Sequence, residues 1–85
     1  MGRESVNFMT AEAEILSVVN QVLVNKGREP RGELWAGMRL REELGFDSLD
    51  LAELTVRLEE ATGVDVFADG VVRTIGEISE RVARG

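Results

Sequence analysis

The chain of 85 residues contains no cysteine and no histidine. Without cysteine it forms no disulfide and offers no side-chain thiolate. Without histidine it lacks the commonest general base and the commonest metal ligand. Any reactive group therefore comes from Ser, Thr, Asp, Glu, Lys or Arg, or is added later. Positive charge is also scarce, with 10 Lys and Arg against 16 Asp and Glu and a formal net charge of −6. Such a chain repels nucleic-acid phosphate and anionic membranes, and it suits a partner with a basic patch. No apolar run approaches the roughly 20 residues that span a bilayer. Residues 1–10, MGRESVNFMT, hold no apolar signal-peptide core. A cytoplasmic protein with no nucleic-acid or membrane partner is the resulting expectation.

This length points to one domain. Such a chain buries roughly 60% of its unfolded surface, which leaves little room for a deep active site. No internal repeat or low-complexity segment is present. Residues 1–9 are read as a flexible N-terminal segment and residues 10–85 as the single folded domain.

A first helix is predicted from Thr10, an N-cap residue, with Glu12 and Glu14 in its positive first turn. Ile15, Val18, Val19, Val22 and Leu23 give it one apolar stripe, and Gly27 ends it, with Pro30 shortly beyond. A long connection over 27–46 follows. A loop of that length needs anchors. Leu34, Trp35, Met38, Leu40, Leu44 and Phe46 supply them, with a helical turn around Leu40–Leu44.

The second helix is predicted from Asp47 or Ser48 to near Thr62, with Gly63 as its stop and Leu51, Leu54, Leu58 and Ala61 along one face. Val64, Val66 and Phe67 follow, then a short third helix over 68–73. The last helix opens on a capping box, Thr74 with Glu77, and takes its apolar face from Ile75, Ile78 and Val82. With no convincing strand, the expected architecture is all-α: a small four-helix bundle with a long first loop and a short third helix.

Residues 44–60 carry the chemistry. Ser48 stands at a helix start, where unpaired N–H groups and the helix dipole favour a phosphate ester. Its plain alternative is an ordinary N-cap. Between Glu42 and Glu60 there are seven acids and one base, Arg57, so this stretch alone carries −6. Leu49 and Val56 fall off the core stripe. Together they suggest a small apolar contact inside an acidic rim, of the kind that suits a transient partner, against the alternative of partial core packing.

These residues resemble the acyl carrier protein family, whose signature is Leu-Gly-x-Asp-Ser-Leu-Asp/Glu opening a helix. The chain reads Leu44-Gly45-Phe46-Asp47-Ser48-Leu49-Asp50, and the layout of helices and long loop agrees over nearly its whole length. The resemblance implies a carrier, not an enzyme. It places a 4′-phosphopantetheine arm on Ser48, added by a phosphopantetheinyl transferase, with acyl or polyketide groups held on the arm's thiol as thioesters. Asp47 would help hold Mg²⁺ during arm transfer, with no stable metal site. Leu49 and Val56 would enter an apolar groove of the partner. Asp50, Glu53, Glu59 and Glu60 would meet its basic residues, and Arg57 would discriminate among partners. The implied partners are the transferase, an acyl-loading enzyme, and ketosynthases, acyltransferases or tailoring enzymes, all meeting a monomer.

Phe46 stands where fatty acid carriers commonly have a small residue, Arg57 interrupts the acidic helix, and the Gly-Gly-x-Ser of peptidyl carriers is absent. These departures tilt the reading toward a polyketide or other specialised pathway over an aminoacyl or peptidyl carrier. The residues alone also allow two other functions to be considered. An unmodified helical module binding a basic partner stays open. A hydrolase with Ser48 as nucleophile lacks a base, since there is no His and nothing in the sequence places the single lysine, Lys26, near the serine.

Overall fold

The apolar stripe from Ile15 to Leu23 is buried along its whole length, as its helical period requires. The computed structural model describes the backbone of residues 2–85 and the side chains of residues 11–85. The first helix, α1, spans Gly2–Asn25. It therefore begins upstream of Thr10, since no proline lies there to interrupt it. The side chain of Thr10, and with it the expected cap, lies outside the described residues. At the other end the Arg28 N–H donates to Leu23 O at 2.8 Å and the Gly27 N–H to Val24 O at 2.9 Å. This pairing closes the helix around Gly27, whose φ of 81° lies in the left-handed region that glycine enters without strain.

The long connection that follows is pinned at several points. Asn20 on α1 donates to the Arg31 carbonyl at 2.9 Å and accepts from the Arg31 N–H at 2.8 Å. Met38, Leu40, Leu44 and Phe46 are buried. The expected helical turn is present: Glu43 N–H donates to Arg39 O at 3.0 Å and Gly45 N–H to Arg41 O at 3.1 Å. An isolated antiparallel bridge joins Arg39 to Thr74, with Leu40 N–H on Arg73 O and Ile75 N–H on Met38 O, each at 2.9 Å. Trp35, expected among the loop's anchors, is only half buried, with 49% of it exposed. It lies instead along a groove of about 730 Å³ between α1, the loop and the start of the last helix, and no residue lining that groove comes from the second helix.

The second helix, α2, spans Ser48–Thr62 and inserts Leu54 and Leu58 into the core. Leu51 packs against its edge. Ala61 is exposed instead of completing the face, because the helix passes the end of the core there and stops at Gly63.

The expected short third helix over 68–73 is absent. Residues 66–69 form turns, with Ala68 N–H on Asp65 O and Gly70 N–H on Phe67 O, both at 3.1 Å. Asp65 also draws the Phe67 N–H onto its side chain at 3.2 Å, and Gly70 leaves helical space at φ 127°. Arg81 gathers the Val66 carbonyl at 2.8 Å and so holds this turn on the last helix.

That last helix, α3, spans Ile75–Arg84 and opens on the expected Thr74–Glu77 capping box. The described residues thus form three helices, not four, with no strand. The all-α class holds. Core side chains come from all three helices, from the long loop and from Val66 and Val72.

Candidate functional site

Two capping interactions build the start of α2. The Asp50 N–H donates to Asp47 Oδ1 at 2.9 Å, and the Asp47 N–H donates to Asp50 Oδ2 at 2.9 Å. The box fixes Asp47 as the N-cap and Ser48 as the first helical residue. Gly45 sets the approach, since the chain needs φ +73° there and a Cβ would lie 2.8 Å from the Arg28 guanidinium.

Ser48 is exposed and directly follows the cap residue. In this first turn the backbone N–H groups lack intrahelical acceptors. The Asp50 amide is capped by Asp47, whereas those of Ser48 and Leu49 have no intrahelical acceptor. The Ser48 hydroxyl oxygen accepts a hydrogen bond from Arg41 Nη2 at 3.2 Å. Sequence reasoning missed Arg41. It lies seven residues upstream in a loop, where no periodicity relates it to the serine.

Asp50 was expected on the partner-facing surface. It is instead buried, with 8% exposure. Its carboxylate pairs with Lys26 Nζ at 2.7 Å while accepting the Asp47 amide. Burial pushes the Asp50 carboxyl up. The hydrogen bonds from Lys26 and Asp47, with the Lys26 charge, outweigh it and hold the group below its ordinary value. Lys26 is thus paired with a residue two positions beyond Ser48, an arrangement that the sequence did not reveal. It is engaged by Asp50 and not by the serine hydroxyl.

Glu53 and Arg57 also turn inward. Arg57 Nε donates to Glu53 Oε2 at 2.8 Å and Arg57 Nη1 to Gln21 Oε1 at 3.0 Å, while Asn25 Nδ2 donates to Glu53 Oε2 at 2.8 Å. This network joins α2 to α1. The hydrogen bond from Arg57, then that from Asn25, holds the Glu53 carboxyl below its ordinary value. Glu53 therefore has its helical cation at i+4, and Arg57 has partners within the chain.

What faces outward on α2 is narrower than expected. Leu49 is 79% exposed and Val56 56% exposed. Seven residues apart, they lie two turns along one face. Glu59 and Glu60 are exposed beyond them and form no ion pair with another described residue. The outward arrangement is thus an exposed serine at a positive helix end, an apolar pair and a carboxylate rim. It suits covalent modification and transient docking. Among the described residues no cluster of three or more acids could hold a metal, and no helix is long and apolar enough to cross a membrane.

Residues 32–82, more than half of the chain, match the family model described as phosphopantetheine attachment site. The chain is also 36% identical over 69 residues to an acyl carrier protein of Saccharopolyspora erythraea, covering 79% of this chain and 73% of that relative. No solved structure matches it.

Proposed function

We propose a function from one premise: this chain belongs to the acyl carrier protein family and carries covalently attached 4′-phosphopantetheine. Ser48 is the attachment point, and the protein presents acyl intermediates to biosynthetic enzymes. The observation that carries this reading is the exposed Ser48 hydroxyl at the first position of α2, inside Leu44-Gly45-Phe46-Asp47-Ser48-Leu49-Asp50. The site fits the arm: the hydroxyl is open, the adjacent amides and helix dipole favour a phosphodiester, and a guanidinium stands against the oxygen.

The bound arm supplies the terminal thiol that this cysteine-free chain lacks, and acyl groups are held there as thioesters. During attachment the Ser48 oxygen forms a bond to the phosphorus of coenzyme A nearer the pantetheine. The bond from that phosphorus to the bridging oxygen of the diphosphate breaks, and adenosine bisphosphate leaves. The serine proton passes to a base of the transferase. Asp47, whose Oδ2 takes no part in the capping box, would help hold the Mg²⁺ that steadies the diphosphate.

Leu49 and Val56 form the apolar contact with partner enzymes, and Glu59 and Glu60 the acidic rim that meets their basic surfaces. The cargo belongs to a polyketide or other specialised pathway. Phe46, Arg57 and the missing Gly-Gly-x-Ser support that reading.

The test is incubation with coenzyme A, Mg²⁺ and a broad-specificity transferase, read by intact mass. The expected result is a gain of one phosphopantetheinyl group in the wild type and none in Ser48→Ala, which stays folded. An unchanged wild-type mass beside a modified control carrier would overturn the proposal and leave an unmodified interaction module.

A further inference from the structure

We infer that Arg41 is a built-in anchor for the arm's phosphodiester, pairing with its non-bridging oxygens and fixing the direction in which the arm leaves Ser48. The inference rests on attachment at Ser48. In the unmodified protein Arg41 Nη2 lies 3.2 Å from Ser48 Oγ, the atom that becomes the ester oxygen. The non-bridging oxygens of a phosphodiester at this position are two bonds from that atom. A small rotation of the side chain brings the planar guanidinium onto them, the geometry in which arginine binds phosphate through two parallel hydrogen bonds.

Position supports this assignment. The Arg41 backbone sits in a closed turn, its carbonyl accepting the Gly45 N–H at 3.1 Å, while Phe46 N–H donates to Leu40 O at 3.0 Å. Leu40, Leu44 and Phe46 hold that turn in the core. The guanidinium is therefore presented from a rigid base while its head stays exposed.

Charge gives the anchor a purpose. A phosphodiester on Ser48 adds negative charge beside Asp47, with Glu42 and Glu43 on the same turn as Arg41. Lys26 is engaged by Asp50 at 2.7 Å, Arg28 packs against Gly45, and Arg39 lies 3.8 Å from Glu42. Among the described residues Arg41 is the one cation hydrogen-bonded to the serine. With the Ser48 and Leu49 amides it surrounds the phosphate with donors from both the loop and the helix.

The test compares mass-verified holo proteins by ³¹P NMR: wild type, Arg41→Ala and, as a control from the same turn, Arg39→Ala. Arg41 is exposed, so its truncation leaves the core intact. In the wild type the phosphodiester resonance should be displaced from that of free phosphopantetheine esterified to a serine peptide. Arg41→Ala should move it toward the peptide value, Arg39→Ala should leave it in place, and added NaCl should shrink the difference between wild type and Arg41→Ala. Coincident resonances for wild type and Arg41→Ala overturn the anchor. So does an equal displacement by Arg39→Ala, which would reveal only a general basic field. A wild type that gains no mass refutes attachment itself, a different result from a modified protein with an unperturbed phosphorus.

Discussion

Lys26 Nζ lies 2.7 Å from Asp50 Oδ2, so the residue just past α1 is tied to the first turn of α2. The same Asp50 carboxylate accepts the Asp47 amide. One side chain therefore closes the interhelical contact and the cap beneath Ser48. The helix start that presents the serine is set by a pair lying mostly out of solvent.

Breaking this pair should cost stability beyond that of a surface ion pair. Lys26→Met leaves a charged acceptor with too few donors, and a loss of about 1–3 kcal/mol is expected. Asp50→Asn should also destabilise the fold. The double variant should lose less than the sum of the two single losses, because the partners act together. Urea unfolding of the four proteins measures this coupling, and strictly additive losses would show that the contact contributes nothing specific.

The same carboxylate makes the protein acid-sensitive. Its folded value lies below the ordinary one, which is about 3.9 for an unfolded Asp. The folded state thus binds fewer protons in that window, and stability rises with pH through it. The contribution is complete above the unfolded value and is lost as pH falls through the folded one. Glu53, held by Arg57, and Glu77, held by the Arg73 and Thr74 amides, act with the same sign. Urea midpoints should therefore fall as pH drops below about 4. Asp50→Asn should flatten that slope while lowering the midpoint at neutral pH, and an unchanged slope would remove Asp50 from the account.

Leu49 and Leu54 share a helix and should behave in opposite ways. Leu49 is exposed while Leu54 is fully buried. Leu54→Ala should cost about 2–5 kcal/mol, and Leu49→Ala should stay within about 0.5 kcal/mol. Leu49→Ala and Val56→Ala should instead raise the transferase KM severalfold at unchanged stability, and Glu59→Gln with Glu60→Gln should weaken its salt dependence. Steady-state kinetics over a NaCl series separates these effects. Normal KM values in all the variants would move the docking surface elsewhere.

Much of the framework was legible because it depends on local rules. The stripe from Ile15 to Leu23, the stop at Gly27, the Thr74–Glu77 box and the anchors from Met38 to Phe46 each follow from spacing, φ preference or apolarity. Other features took shape only where neighbours intervened. The segment 68–73 became turns once Asp65, Gly70 and Arg81 engaged its backbone. Asp50 and Glu53 look like surface acids in any helical pattern, since periodicity does not show that Lys26 or Asn25 waits across the interface. Trp35 stays half exposed because the loop carries it along a groove.

Residue order alone carries the all-α class, the serine opening an acidic helix, and the lack of any side-chain thiol or imidazole. Those are properties of composition and short-range order. Which charges are available to a partner, and which cation reaches the serine, depend on the folded arrangement. The acids of α2 divide into an inner set, Asp50 and Glu53, and an outer set, Glu59 and Glu60. Arg41 comes to the serine hydroxyl. Charge pairing depends on distance through space, and only folding brings residues remote in sequence within hydrogen-bond reach.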